Sequence, residues 1–467
     1  MTNLQLAIRN LFRNGRRSFT TIFAMVIGML ALLLFGGFIS SIYYGLQTGI
    51  VRGQGHLHIY PAGYLEFGSS RPTEYFIDDY PELITILEKD KTLKQRLEVI
   101  TPIVRLNGIA GNHAADTSKT FFASGIIPSK YNKMQDWDYH KLNLPTHKIS
   151  LVDNAIEQGV VGYGMAQMLN LCKQLDVPNC EDLPVTVNPN SVDDDILSLQ
   201  SLLEEETSQD KTAQKPHQGA QIDLLASTGS GAPNVLSIDI IEAQQKGNKM
   251  LDDSFIAMHF ERAQSLVFSD KSKASAIILQ LKNTNEMEET QHYIQKLLAK
   301  VDLEGQKFEI KNYTEFNEQF FKVISMFSML FIFIVIVISL VVLFTTINTL
   351  TMSVMERIAE IGSLRAMGVR RSGIRRQFLV EGVVIGISGA TLGIISSIII
   401  TYFFNNAGFS WTPPSNASST PLKILLYANP LLLIGTWLLM VFVATVSSLI
   451  PARFAAKMNI VDAIRHG

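Results

Sequence analysis

Four stretches of this chain contain no Asp, Glu, Lys or Arg and are long enough to cross a lipid bilayer. They are residues 18–51, 323–355, 382–422 and 424–452. About 20 mostly apolar residues in helical conformation cross the roughly 30 Å hydrocarbon core of a membrane. The pattern therefore predicts four transmembrane helices, near residues 19–43, 324–351, 379–404 and 430–451.

The first apolar stretch, residues 18–51, has two interpretations. A cleaved signal peptide has an apolar core of only about 7 to 15 residues followed by a small-x-small cleavage site. This stretch is longer and has no clear site of that kind. The sequence favours an uncleaved signal anchor.

Basic residues near the ends of the spans predict their orientation, since Arg and Lys are enriched in cytoplasmic loops. They are Arg9, Arg13, Arg16 and Arg17 before the first span, Arg357, Arg365, Arg370, Arg371, Arg375 and Arg376 between the second and third, and Arg453, Lys457 and Arg465 after the fourth. We therefore expect both termini to be cytoplasmic. The segment between the first and second spans is then extracytoplasmic.

The predicted layout is a membrane protein with four transmembrane α-helices and a large α+β extracytoplasmic domain between helices 1 and 2. Its segments are an amphipathic N-terminal helix (1–17), the first span and stalk (18–51), the periplasmic domain (52–320), the second span and stalk (321–355), a cytoplasmic coupling helix and loop (356–377), the third span (378–404), a short periplasmic loop (405–429), the fourth span (430–451) and a cytoplasmic tail (452–467).

Strand-like and helix-like runs alternate through residues 52–320, which are numerous enough for their own core and for two subdomains. Residues 55–60 and 274–281 have strand patterns, and residues 285–300 have a helix pattern. This alternation predicts an α+β domain with split βαβ character.

Residues 188–234 are rich in Asp, Glu, Ser and Gln and almost free of aromatic residues. Such a composition cannot bury a core, so it predicts a flexible insertion, with one short helix over residues 196–205. The acidic clusters lack the spacing of an EF-hand, and a solvated loop is therefore favoured over a Ca²⁺ site.

The chain has two cysteines, Cys172 and Cys180, both in the predicted periplasmic domain. In an oxidising compartment they can form a disulfide. Two free buried thiols are the alternative, and a redox or metal role is the least favoured, because a tetrahedral metal site needs four ligands.

Composition supports a membrane protein that does no chemistry of its own. The chain is 47% hydrophobic and 18% charged, and its net charge of −2 gives no reason to expect nucleic acid as a partner. It contains no Gly-Lys dipeptide, so it has no phosphate-binding loop of the Gly-x-x-x-x-Gly-Lys type. We predict no catalytic, cofactor-binding or metal-binding residues. His56 and His58 alternate on a predicted strand and are interpreted as surface residues, and Glu381 as an interfacial residue at the edge of the third span.

A dense polar block, residues 356–376, lies between the second and third spans. Glu356 and Glu360 are four residues apart, so on a helix they share one face and repel each other by about 0.2–0.5 kcal/mol. A helix that only needed to be soluble would pair Glu with Lys, and the like-charged face therefore points to a partner. An amphipathic helix on anionic lipid remains the alternative. Gly368 suits a C-terminal helix cap.

This block and two later stretches closely resemble the FtsX-like/MacB-type permeases of ATP-binding-cassette transporters. The matching stretches are residues 356–368, 374–381 and 451–465, and residues 6–17 are similar to the amphipathic helix that precedes the first span in that family. Residues 159–169, 221–225 and 255–264 resemble landmarks of its outer domain.

The resemblance implies a mechanism, partners and a site. The permease works as a dimer with a second copy or a homologous permease, in the bacterial inner membrane. Two copies of a separate cytoplasmic ATPase bind ATP and Mg²⁺ and contact the coupling segment, while this chain binds neither. The implied coupling residues are Glu356, Arg357, Glu360, Ile361, Gly362, Leu364, Arg365, Ala366 and Gly368.

Two features of the spans fit a machine that transmits motion. The uncharged stretches around the first and second spans would reach about 50 Å as helix, against roughly 30 Å of hydrocarbon, so they can protrude as a stalk. The third span has glycines at spacings of four, three and four, at Gly382, Gly386, Gly389 and Gly393. This small-residue face suits close packing, either within one chain or at the dimer seam.

The cargo stays open at this point. A lipoprotein or other lipophilic molecule, taken up by a periplasmic carrier, is the favoured hypothesis. Peptide or drug efflux with an adaptor and an outer-membrane channel is the next, and activation of a cell-wall hydrolase the third.

Overall fold

The computed structural model describes residues 9, 13, 15–68, 75–181, 220–246, 249–268, 272–301, 305–412, 419–426 and 429–458. The chain divides into two compact units. The membrane unit comprises Met1–Gln47, Asn317–Trp411 and Pro421–Gly467, and the α+β unit comprises Thr48–Phe316 and Thr412–Thr420.

The helices, in chain order, are α1 (Gly15–Gln54), α2 (Tyr80–Lys89), α3 (Lys91–Arg96), α4 (Pro128–Gln135), α5 (Tyr163–Met168), α6 (Lys249–Asp252), α7 (Phe260–Val267), α8 (Met287–Leu298), α9 (Tyr313–Phe316), α10 (Glu318–Glu356), α11 (Ile358–Ala366), α12 (Arg371–Asn406) and α13 (Pro430–Lys457). The strands are β1 (Leu57–Pro61), β2 (Leu97–Asn112), β3 (Thr117–Ile126), β4 (Gln158–Gly162), β5 (Ala220–Ser227), β6 (Pro233–Gln244), β7 (Phe255–His259), β8 (Ala276–Leu281), β9 (Phe308–Asn312), β10 (Ser410–Trp411) and β11 (Thr420–Pro421).

Four helices, α1, α10, α12 and α13, are long and apolar enough to cross a membrane. The predicted fold class, with four membrane helices and an α+β domain between the first two, is confirmed. Helices α1 and α10 have 40 and 39 residues, so each is about 60 Å long. Both therefore exceed the thickness of a hydrocarbon core about twofold.

The core of the membrane unit is built from all four of these helices. It includes Met25 and Met29 of α1, Val342 of α10, Ile385 of α12 and Met440 of α13. The glycine face of α12 lets two neighbours approach closely. A Cβ on Gly382 would lie 2.5 Å from Ser448 Cβ of α13, and one on Gly393 would lie 2.5 Å from Met29 Cβ of α1.

The other two glycines extend the same contacts, Gly386 against Ala444 and Gly389 against Met25. The four glycines of this face thus contact helices of the same chain, an arrangement that fits packing within one chain.

The α+β unit contains a split βαβ fold. Its sheet has the strand order β2-β8-β1-β9, and helices α2, α3 and α8 connect or follow its strands. The helices bury apolar side chains on that sheet, among them Leu83 and Leu87 of α2 and Ile294 and Leu298 of α8. The predicted split βαβ character is present in this part of the chain.

A second substructure is inserted between β2 and β8. Strands β3, β7, β4, β6, β5 and β2 are neighbours in that order, and β3 also pairs with β2, so the six strands close on themselves. Strand β2 belongs to both parts. Residues 97–103 pair with β8, and residues 104–112 pair with β3. The barrel has its own core, which includes Phe121, Leu224, Ile238 and Ile256.

The predicted insertion over residues 188–234 extends too far toward the C-terminus. Residues 220–227 are strand β5, and residue 233 begins strand β6. Ile222, Leu224 and Ala226 alternate inward along β5, and the average composition of the window hid this period of two. The predicted helix over residues 196–205 lies outside the described residues.

The interpretation of His56 and His58 as surface residues is wrong, since both are fully buried. Strand β1 lies between β8 and β9, and all five of its residues are buried. Buried polar side chains need hydrogen-bond partners. His56 Nδ1 accepts from Leu281 N–H at 3.0 Å, and its Nε2 lies 2.9 Å from Thr284 Oγ1.

Candidate functional site

The polar block between the second and third membrane helices folds as a short helix between two breaks. Helix α10 ends at Glu356, and α11 runs from Ile358 to Ala366. Gly368 then adopts a φ of 96°. Its N–H donates to Arg365 O at 3.1 Å, and Val369 N–H donates to Leu364 O at 3.1 Å, which is the hydrogen-bond pattern of a Schellman cap.

The first break is at Arg357, whose side chain enters the protein and forms a buried ion pair. Arg357 Nη1 lies 3.0 Å from Glu381 Oε1, and the two side chains are 4% and 5% exposed. The interfacial role predicted for Glu381 is therefore wrong. The carboxylate is buried because it faces the guanidinium that follows α10, so the pair joins the start of α11 to α12.

The like-charged face predicted from Glu356 and Glu360 is paired in the structure. Arg13 makes two parallel contacts with Glu360, Nη1 to Oε1 at 2.8 Å and Nη2 to Oε2 at 2.9 Å. Arg17 Nη1 pairs with Glu356 Oε1. The two arginines are themselves four residues apart and match the spacing of the glutamates, so each carboxylate of the like-charged face has a partner within the chain.

The Arg13 guanidinium also acts on the acidity of its partner. Its hydrogen bond lowers the pKa of the Glu360 carboxyl below the usual range. Both side chains are about half exposed. The pair is thus an accessible, bidentate contact between α11 and the N-terminal end of the chain, of a kind with more geometric specificity than a single ion pair.

The C-terminal half of α11 is attached to α13. Arg365 Nη1 donates to Ala456 O at 3.3 Å and also to Met458 O. Ile361 and Leu364 pack with Ile374, Phe378, Ala452 and Ala455, and Gly362 is buried. Arg365 thereby satisfies carbonyls at the end of α13 that a helix leaves without partners.

The opposite side of α11 is open. Its exposed residues are Met355, Glu356, Ala359, Glu360, Ser363, Ala366, Met367, Gly368 and Val369. Met367 is 75% exposed. Of the predicted coupling residues, Glu356, Glu360, Ala366 and Gly368 lie on this surface, while Arg357, Ile361 and Gly362 are buried. We call the exposed set the α11 surface.

In the sequence, Arg13 and Arg17 indicate orientation and belong to the stretch that resembles the family's N-terminal amphipathic helix, and their pairs with Glu360 and Glu356 are not predicted. The detectable signal was their spacing of four, which equals that of Glu356 and Glu360. Glu381 was seen, but nothing along the chain connects it with Arg357.

The two cysteines are joined in a disulfide with a Cα–Cα distance of 5.4 Å. They enclose a turn in which Val177 N–H donates to Cys172 O at 3.0 Å. Within the described part of the chain, no three His, Cys, Asp or Glu side chains come together as a metal site would require.

Comparison with known proteins gives a family match in the C-terminal part of the chain. Residues 319–460 match the family model of the FtsX-like permease C-terminal domain. The protein named ABC transporter permease YtrF, of Bacillus subtilis (strain 168), is 38% identical over 120 residues, which are 25% of this chain and 28% of that protein.

Two further relatives are similar to part of the chain. The protein named macrolide export ATP-binding/permease protein MacB, of Campylobacter jejuni (strain 81-176), is 36% identical over 117 residues, 25% of this chain and 16% of that protein. An uncharacterized ABC transporter permease of Methanocaldococcus jannaschii is 26% identical over 233 residues, 48% of this chain and 53% of that protein. The chain thus covers about half or less of the length of these relatives.

Proposed function

Because residues 319–460 match the family model of the FtsX-like permease C-terminal domain, we propose that the chain is the membrane subunit of an ATP-binding-cassette transporter. A separate ATPase binds the α11 surface from the cytoplasm. Its ATP-driven movement displaces α11, and the membrane helices pass this displacement to the α+β unit. The chain itself hydrolyses no ATP, binds no cofactor and works as a dimer.

The observation that carries the proposal is that α11 is attached to all four membrane helices. Arg13, two residues before α1, pairs with Glu360 of α11, and Arg17 of α1 pairs with Glu356, the last residue of α10. Arg357, between α10 and α11, pairs with Glu381 of α12, and Arg365 of α11 donates to carbonyls at the end of α13. A partner that moves α11 therefore moves all four helices. A helix that only rested on lipid would not need these attachments.

The orientation rests on charge. Arg370, Arg371, Arg375 and Arg376 surround the start of α12 and are exposed. They lie on the same side of the membrane as the α11 surface, because α11 and the start of α12 are consecutive. The enrichment of Arg in cytoplasmic loops then supports a cytoplasmic α11 and an α+β unit on the outside of the inner membrane.

Motion rather than a polar path is the proposed output. The uncharged stretches of the spans offer no ionisable side chain at mid-membrane, whereas transport pathways for ions and polar solutes are marked by such residues. The charges of Arg357 and Glu381 are buried and pair with each other. The long helices α1 and α10 provide a lever of about 60 Å.

We propose a lipoprotein or other lipophilic cargo that the α+β unit handles at the outer face of the membrane. The name of the matched Campylobacter protein assigns macrolide export to it. A further relative, from Pseudomonas syringae, is named a probable syringafactin export protein and is 31% identical over 117 residues. Export of small lipophilic compounds with an adaptor is therefore the second candidate function.

Site-specific cross-linking tests the ATPase contact, with two methionines as a matched pair. Met367 of the α11 surface and Met250 of α6 are 75% and 78% exposed. A photo-reactive amino acid at Met367 should cross-link an ATP-binding-cassette ATPase in intact cells, whereas the same group at Met250 should not. Equal cross-linking at both positions, or none at Met367, would refute the proposed site.

A second experiment tests the motion. Spin labels are placed on two exposed residues, Leu46 of α1 and Val323 of α10, because the nearby Gln47 and Phe320 are buried. The distance between labels on the two subunits should change when a hydrolysis-deficient form of the cross-linked ATPase traps ATP. A distance that stays the same in both nucleotide states would show that α1 and α10 do not move, and would refute the proposed motion.

A further inference from the structure

The C-terminal end of α1 is held by side chains of the α+β unit. A helix leaves its last four carbonyls without partners. Here Gly55, with a φ of 76°, follows the helix and donates its N–H to Val51 O at 2.9 Å. A Cβ at this position would lie 2.5 Å from the Ile278 side chain. Glycine is therefore required both for the turn and for the close approach of β8.

Three buried side chains from three different elements donate to carbonyls of this turn. Gln280 of β8 donates to Val51 O at 3.2 Å, and Gln135 of α4 donates to Arg52 O at 3.1 Å. His58 of β1 contacts Gln54 O through Nε2 at 2.5 Å. The end of α1 is thus capped by side chains of the α+β unit together with the Gly55 N–H.

The hydrogen bonds around His58 have a defined direction. Because a carbonyl can only accept, His58 Nε2 carries the proton and Nδ1 accepts from the Tyr60 hydroxyl at 2.8 Å. The Tyr60 oxygen in turn accepts from Arg105 Nη1 at 2.9 Å. Burial, and secondly Arg105, hold the pKa of His58 well below its usual range, which keeps the ring in this neutral form.

Arg52 anchors the same turn in a second way. Its Nε donates to Trp137 O at 2.7 Å, and its Nη1 donates to Leu144 O at 3.1 Å and to Pro145 O at 3.3 Å. The residue is 5% exposed. The loop after α4 therefore wraps a charged side chain of α1 with main-chain carbonyls, and Trp137 Nε1 ties this loop to Leu281 O of β8 at 2.9 Å.

The buried polar side chains around this turn share one function, since each contacts a main-chain carbonyl of the helix end. Gln135, Gln280 and His58 are each at most 3% exposed, and a buried polar group without partners is costly. Apolar residues in their place would leave the carbonyls of Arg52 and Gln54 without these partners. Directional hydrogen bonds fix the rotation and the axial position of a helix, which apolar contacts do not.

We infer that residues 51–55 form a rigid joint, in which Gln135, Gln280, His58 and Arg52 clamp the last turn of α1 so that rotation or translation of the helix moves the α+β unit as one body. The role of the joint rests on the proposed function. These four are positioning residues, since they act through the helix end and contact no cargo.

The width of a distance distribution tests rigidity directly in the full chain, purified in lipid nanodiscs. Nitroxide labels at Leu46 of α1 and Thr120 of β3, both exposed, report motion across residues 51–55. The test variant is Gln135→Met with Gln280→Met, which keeps side-chain volume but removes two donors. The control is Gln264→Met, because Gln264 is 2% exposed and donates to Lys273 O at 2.7 Å, away from α1.

We expect a narrow distribution in the wild type and in the control, and a broad one in the test variant. Hydrogen exchange of the Gly55 amide should be about tenfold faster in the test variant, equivalent to about 1.4 kcal/mol. Equal widths in all three proteins, or a broad distribution in the wild type, would overturn the joint.

A second variant covers the case in which the double substitution prevents folding. Arg52→Lys keeps the charge but cannot reproduce the planar fork that reaches three carbonyls. It should broaden the distribution while the domain stays folded, and an unchanged width would again overturn the joint. No ATPase is present in this measurement, so a failure of the proposed function leaves its result unaffected.

Discussion

Breaking the buried ion pair between Arg357 and Glu381 should destabilise the membrane unit more than any other single charge change near α11. The two side chains are 4% and 5% exposed, and their charged atoms are 3.0 Å apart. In Glu381→Leu, the guanidinium keeps its charge and loses this acceptor. Its Nε and Nη2 already have no hydrogen-bond partner among the described residues. Removal of one partner of a buried pair costs about 3–5 kcal/mol.

The double variant separates the pair from its surroundings. With Arg357→Met added to Glu381→Leu, no charge is buried, and an apolar contact of similar volume replaces the pair. Such replacements are often neutral or stabilising by about 1–4 kcal/mol relative to the original pair. The double variant should therefore be more stable than either single variant, and the interaction energy of the cycle should be of the order of several kcal/mol.

Denaturant unfolding in a mild detergent measures these differences, with Arg375→Met as the control. Arg375 is exposed on the same helix, and surface substitutions usually change stability by no more than about 0.5 kcal/mol. Two results would refute the reasoning. One is that either single variant is as stable as the control. The other is that the double variant loses as much stability as the two single variants together.

Three other predictions concern separate parts of the chain. Glu360→Lys should abolish stimulated ATP hydrolysis but keep the fold, since an exposed pair is worth about 0–1 kcal/mol; full stimulation, or its recovery when Arg13→Glu restores the pair, would show that Glu360 makes no essential ATPase contact. Mass mapping without reductant should find Cys172 and Cys180 joined, and two alkylated thiols in the unfolded, unreduced protein would contradict the disulfide. Burial lowers the pKa of His56 from 6.5 to about 3, so between these values the unfolded chain binds more protons and stability should fall with falling pH, by at most about 1.4 kcal/mol per pH unit for this residue. His56→Gln should make that slope shallower, and an identical slope would contradict the assignment.

The membrane helices could be predicted because their signal is local. Any window of about 20 residues without a charge carries it, and no knowledge of the partner helix is needed. The attachment of α11 could not be predicted in this way, because Arg13 and Glu360 are 347 residues apart in the sequence. Matching spacings of four at both positions are compatible with pairing, but many other pairs of charged residues in the chain meet the same condition.

The buried histidines show a different limit. Alternation of polar and apolar residues predicts a strand with one solvated face, which is why His56 and His58 were interpreted as surface residues. The prediction fails because α1 ends directly before β1, and the end of that helix brings its own carbonyls into contact with one of them. His58 is polar because it caps a helix. The need for a helix cap at this position arises where a helix meets a strand. Neither the periodicity of the strand nor that of the helix predicts it.

The distribution of polar contacts along α1 indicates how it would act as a lever. Its ion pairs and buried polar contacts lie at its two ends, the pair of Arg17 with Glu356 of α10, preceded by that of Arg13 with Glu360 of α11, and the clamp on Arg52. Between Arg17 and Arg52 the sequence has no charge, and the helix is held largely by close packing, such as Met29 against Gly393. Apolar packing resists separation of helices but opposes small sliding and rotation far less than directional hydrogen bonds do. The middle of α1 would therefore offer little resistance to sliding or rotation. A displacement applied at Arg13 and Arg17 would reach residues 51–55 with little loss, and there the joint fixes the orientation of the helix.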